Sequence, residues 1–165
     1  KKLLYMDIVD NCELNNGEDI PTLEKILSYL SDKDLLKVVE FKDHPNFVSL
    51  SLIKKYLVNP SLVRVISFKK KGLDIVARYA ESDPYFLEIP LFFLYRLFYF
   101  PKKDYHYSIH FTEKGLKRLL KHRGERELGV WTVDKKEDMK LVIENGINYL
   151  TTNHPARCLK LKNIH

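Results

Sequence analysis

Residues 127–155 read ELGVWTVDKKEDMKLVIENGINYLTTNHP, and their pattern decides the fold class. Val130, Trp131, Thr132 and Val133 form a short run of β-branched and aromatic residues behind a glycine. Such a run suits a strand buried on both faces of a parallel sheet. Asp134 stands where a helix N-cap belongs, with Glu137 three residues on. Met139, Val142 and Ile143 recur at helical spacing, and Gly146 is a stop signal. Residues 148–152, NYLTT, form a second strand that Asn153 to Pro155 halt. Strand, helix and strand in so little chain make a βαβ unit, so the class is α/β.

Upstream, the same alternation continues. Pro21 or Thr22 opens a helix whose apolar face is Leu23, Ile26, Leu27 and Leu30. Residues 35–42, LLKVVEFK, then read as a strand. Glu40 and Lys42 are two apart, so their side chains share one face, while Phe41 faces the covering helices. Such a pair is either a strand-edge salt bridge or an acid and base facing a site. Residues 47–57 are helical through Val48, Leu52, Ile53 and Tyr56, and residues 63–68, VRVISF, are the next strand. Phe68 is either a pocket wall or a core aromatic. A helix is expected over 72–81 and a short strand over 85–87. Tyr5 to Val9 reads as a short strand or a helix end.

Residues 88–101, EIPLFFLYRLFYFP, are almost wholly apolar and too short to span a bilayer. They read as a buried helix, or as a lid that meets lipid through the segment from Leu91 to Phe100. His106 and His110 alternate within a strand and face one side; a structural role is favoured over metal ligation. Thr112 caps a helix carrying Leu116, Leu119 and Leu120, and Gly124 is expected at its C′ position.

Bulk composition narrows the classes further. The chain has 165 residues, 45% hydrophobic and 30% charged, which suits one domain over residues 1–165 with a real core. The net charge of +6 fits a lysine-rich surface or attraction to phosphates or an anionic membrane. No arginine cluster or recognition helix marks a specific nucleic-acid reader, and no glycine-rich phosphate loop is present. Cys12 and Cys158 form no CxxC pair, so they imply neither zinc nor a disulfide framework. Without a visible signal peptide, the expected location is intracellular, cytoplasmic or peripheral to a membrane. The first residue is Lys1 rather than Met, which suggests that the natural chain starts earlier.

Several segments resemble the glycerophosphodiester phosphodiesterase family. Gly17-Glu18-Asp19-Ile20-Pro21-Thr22-Leu23-Glu24 is similar to that family's G-E-x-I-P-T-L-E segment. Val39-Glu40-Phe41-Lys42 resembles its [IV]-E-[IL]-K strand, Ser67-Phe68 its S-F strand end, and Trp131-Thr132-Val133 its late W-T-V strand. The resemblance implies a TIM-type (β/α) barrel of the phospholipase-C-like phosphodiesterase kind, with the N-terminal strands missing from this chain. It implies that Glu40 ligates a divalent metal, Ca²⁺ or Mg²⁺, whose hard character suits a carboxylate oxygen. It implies that Lys42 is catalytic, a point charge beside the substrate phosphate. Phe68 and Trp131 then contact the substrate, a glycerophosphodiester or a lysophospholipid; the pattern at residues 86–90 is similar to a lysophospholipase D subgroup. The family's H-R-G, E-N-T, E-x-D and H-D segments lie before the matched part. His122-Arg123-Gly124 copies the first of these in letters only, because it follows a helix. The chain is therefore expected to be the C-terminal portion of an enzyme, or else a degenerate member that binds lipid or serves assembly.

Overall fold

The computed structural model describes residues 12–95 and 105–162. Strand β1 (Lys37–Glu40) follows helix α1 (Leu23–Leu30). Then come α2 (Phe47–Tyr56), β2 (Val63–Ser67), α3 (Lys70–Ala80), the single turn α4 (Pro84–Leu87) and β3 (Leu91–Tyr95). Beyond them are β4 (His106–His110), α5 (Glu113–Lys121), β5 (Leu128–Trp131), α6 (Lys136–Glu144), β6 (Tyr149–Leu150) and α7 (Pro155–Lys162). The six strands lie in chain order in one sheet, every neighbouring pair parallel. This is an open half-barrel, the part of a (β/α) barrel that the sequence leads one to expect.

Strand alternation divides the residues between two faces. The outer face of β1 to β3 packs with α1 to α4 around Leu50, Ile53, Val63, Val65, Leu73 and Phe86. The outer face of β4 to β6 packs with α5 to α7 around Ile109, Leu119, Leu128, Val130, Met139 and Val142. Phe93 touches both clusters. The helix starts follow their caps: Thr22 accepts from Lys25 N–H, Asn46 and Ser49 form a reciprocal capping box, and Thr112 accepts from Gly115 N–H.

Several expectations are corrected. Residues 85–87 are helical, because Pro84 sits at the first helical position and the Asp83 carboxylate accepts from Tyr85 N–H. Residues 91–95 are a strand, neither a helix nor a lid, and Phe92 and Leu94 are buried. A parallel strand covered on both sides is apolar throughout, which its letters share with a buried helix. Residues 96–100 lie outside the described residues, as does the expected element at 5–9. In α1 only Leu27 is buried, while Leu23 and Ile26 stay exposed. Gly124 has a positive φ of 46°, but it follows the C-cap His122 by two residues, in a turn closed by Arg126 N–H on Arg123 O. Gly146, with φ 63°, ends α6 as expected. No helix among the described residues is long and apolar enough to cross a membrane.

Gly129 lies on the inner face of β5, beside Ser108 in register on β4. A Cβ there would stand 2.7 Å from Ser108 Oγ and 3.1 Å from Ser108 Cβ. Gly129→Val should therefore cost about 1–3 kcal/mol of stability in a denaturant titration. Adding Ser108→Ala should recover part of that loss, since it removes the nearer of the two atoms.

Candidate active site

The side chains on the concave face converge at the C-terminal ends of the strands, where barrel enzymes carry their chemistry. Glu40 is the last residue of β1, and Lys42 follows two positions later, just beyond the strand. Lys42 Nζ donates to Glu40 Oε1 at 2.6 Å. The lysine side chain is 77% exposed and the glutamate 26%, so the carboxylate is the anchored partner. Lys42 Nζ also stands 5.8 Å from the centre of the Phe68 ring. Phe68 meets Trp131 edge-to-face at 5.3 Å and 87°, and Trp131 meets His110 at 5.1 Å and 82°. These are favoured aromatic geometries.

Glu40, Lys42, Phe68 and Trp131 line one cavity of about 310 Å³. All four residues expected from the sequence are thus brought together. Its deeper walls include Arg64, Ile66, Phe92, Leu94 and Tyr149, which the sequence reading did not single out. Strand alternation marks them as sharing a face; only the order of the strands shows that they share a cavity. The Trp131 indole N–H is buried and has no hydrogen-bond partner among the described residues.

Two further residues shape the rim. Ser67 is fully buried; its hydroxyl donates to Phe41 O at 2.7 Å and accepts from Lys69 N–H at 3.0 Å. It ties the end of β1, between Glu40 and Lys42, to the loop that carries Phe68. Asp134 does not cap α6, whose N-cap is Lys135 without a side-chain bond. Its carboxylate instead accepts from Asn153 N–H at 2.8 Å, Asn153 Nδ2 at 2.9 Å and Thr152 Oγ1 at 3.1 Å. The backbone and side-chain donors of Asn153 hold that carboxyl below its usual range. The residue thus joins the loop after Trp131 to the loop after β6. An N-cap reading was natural, since aspartate favours both roles and the choice depends on a partner 19 residues away.

A divalent ion needs several oxygen ligands. Among the described residues no group of three or more His, Cys, Asp or Glu comes together. The nearby Asp43 is already engaged with Lys69 Nζ at 3.0 Å. Glu40 can offer one hard oxygen, but the described residues do not by themselves fit a bound metal, and no chemical step is drawn through one.

At the other end of the strands, His106 accepts Glu127 N–H through Nδ1 at 2.8 Å. Burial holds this imidazole below its usual pKa. The unfolded chain therefore takes up the proton first as pH falls. Stability should be full above the ordinary imidazole value of about 6.5 and should drop as pH falls from there through the lower folded value. Melting temperatures between about pH 7 and pH 5 should show this slope, and His106→Asn should flatten it.

No protein-family model matches the chain. A glycerophosphodiester phosphodiesterase from Caldanaerobacter subterraneus subsp. tengcongensis is 30% identical over 159 residues, covering 88% of this chain. Over this stretch the chain is a partial-length match to the glycerophosphodiester phosphodiesterase family. It spans 63% of the length of that relative. A crystal structure of a glycerophosphodiester phosphodiesterase from Parabacteroides distasonis shares the fold with a TM-score of 0.69 at 20% identity, covering 96% of this chain and 70% of that one. A putative glycerophosphoryl diester phosphodiesterase from Agrobacterium tumefaciens superposes with a TM-score of 0.72 at 14% identity, covering 99% of this chain and 72% of that one. The half-barrel therefore corresponds to part of the barrel in these phosphodiesterase structures.

Proposed function

We propose that residues 1–165 act as the C-terminal portion of an enzyme that hydrolyses a glycerophosphodiester or a lysophospholipid. The observation that carries this reading is the placement of the Glu40–Lys42 pair. It stands at the catalytic end of the strands, on a cavity whose adjoining wall is Phe68 and Trp131. Lys42 would set its charge against a phosphoryl oxygen, where charge develops in the transition state. Glu40 would orient Lys42 and, only together with further ligands from outside the described residues, would offer one oxygen to a divalent ion, Ca²⁺ or Mg²⁺, whose charge would offset that of the phosphate. Phe68 and Trp131 would form the wall for the alcohol side of the substrate. The apolar walls Ile66, Phe92 and Leu94 favour an alcohol with hydrocarbon character, which supports the lysophospholipid as the finer choice.

The test is an assay of the longer protein that carries this chain, with Ca²⁺ or Mg²⁺, on glycerophosphocholine and on lysophosphatidylcholine. Turnover of at least one, lost in Lys42→Met, is the expected result. A folded protein that turns over neither under any ion condition would overturn the reading. It would leave a degenerate member that binds lipid or serves assembly.

A further inference from the structure

Below the cavity, at the N-terminal end of the strands, five residues close a ring across the concave face. Arg64 of β2 donates through Nε to Tyr149 OH at 3.0 Å and stands 3.3 Å from Glu127 Oε2. Tyr149 of β6 donates its hydroxyl to the same Glu127 oxygen at 3.0 Å. The Tyr149 ring meets Phe92 of β3 edge-to-face at 5.3 Å, and Phe92 stacks on His106 of β4 at 5.0 Å and 28°. The His106 imidazole takes the backbone N–H of Glu127, one residue ahead of β5. Each strand from β2 to β6 thus has one member in the ring or immediately beside it. The guanidinium is further held by the carbonyls of Ser61 and Val63, both at 2.8 Å.

We propose that this ring sets the distance between the Trp131 wall and the Glu40–Lys42 pair, with Arg64, Glu127 and Tyr149 as positioning residues. The inference rests on the reading of those groups as the active site. β1, which carries Glu40, pairs directly with β2, and Val38 lies in register with Arg64. β5 is four residues long and begins beside Glu127. Fixing its start therefore fixes Trp131 at its end, about 10 Å away at the rise of a strand. Without a cross-link, the separation of β2 from β5 is the sum of three strand-to-strand steps. Each step twists by roughly 10–35° from case to case. The Arg64–Glu127 contact bypasses β3 and β4 and removes that accumulated freedom. Charge-assisted bonds on a half-buried floor are strong enough to hold such an arc.

Trp131 is the single tryptophan, so its fluorescence reports the wall directly in the unmodified protein. Glu127→Gln weakens the ring without altering a residue that lines the cavity, and Tyr149→Phe removes the bridging hydroxyl while keeping the ring packed on Phe92. A control, Lys54→Met, breaks the Lys54–Asp83 pair at 2.8 Å on the outer layer. Acrylamide quenching of Trp131 should rise about twofold in both ring variants, as local opening exposes the indole. It should stay at the wild-type value in the control. Unchanged quenching in both ring variants, with a lowered melting temperature, would overturn the proposal and leave the ring as a stability element alone. If Glu127→Gln does not fold, Tyr149→Phe carries the test. Failure of the hydrolysis assay would sink the active-site reading and leave the quenching result standing.

Discussion

If residues 1–165 are the proposed C-terminal portion of a phosphodiesterase, Lys42→Met should lower that enzyme's turnover of a glycerophosphodiester or lysophospholipid by about 10²–10³-fold, the usual loss when one donor to a developing oxyanion is removed. The methionine keeps most of the chain length and removes the charge. Lys42 is largely exposed and bonded to Glu40 alone among the described residues, so the melting temperature should hardly move. Glu40→Gln should also lower turnover steeply, yet respond differently to added ion. A neutral amide is a weaker ligand for a hard cation than a carboxylate, so raising Ca²⁺ or Mg²⁺ should restore part of the Glu40→Gln activity and none of the Lys42→Met activity. Full activity of Glu40→Gln with a lowered melting temperature would make the pair a structural salt bridge and remove the proposed roles of both residues.

Phe86→Ala should have the largest effect on stability. Phe86 is 2% exposed and meets Tyr79 at 5.1 Å and Tyr85 at 5.0 Å, both edge-to-face. Truncating such a ring leaves a cavity and costs about 3–5 kcal/mol. That is a large part of the ~5–15 kcal/mol that holds a domain folded. The melting temperature should fall by on the order of 10 °C. Leu87→Ala, next in the chain but 67% exposed, should change stability by less than about 0.5 kcal/mol. A comparable loss in both variants would mean that the α4 turn does not orient the two side chains as described.

The Phe86 contrast shows where local pattern loses its grip. Tyr85, Phe86 and Leu87 fit a strand by residue type, and nothing in those three letters reports that Asp83 caps them and Pro84 starts a turn. The run from Leu91 to Tyr95 fails in the opposite direction. Hydrophobic periodicity cannot separate a buried helix from a strand covered on both faces. The deciding facts are the neighbours, β2 on one side and β4 on the other. Where one face of an element is wet, the reading holds better. The α5 helix kept its Thr112 cap and its Leu116 and Leu119 stripe. The α6 helix kept Met139 and Val142 inside and Gly146 at its end.

The sequence by itself determined the α/β class and the βαβ unit at its C-terminal end, whereas Glu40, Lys42, Phe68 and Trp131 stand out as a set only through their resemblance to the family's motifs. The class and the βαβ unit are local features: they depend on side-chain period and on helix start and stop signals. Tertiary structure alone decided that the four residues line one cavity, that Asp134 ties two loops instead of capping a helix, and that Arg64 reaches Tyr149, 85 positions away. These contacts join residues that lie far apart in the sequence. They exist because six parallel strands curve into an arc and bring distant inner-face positions together, which no short stretch of sequence encodes.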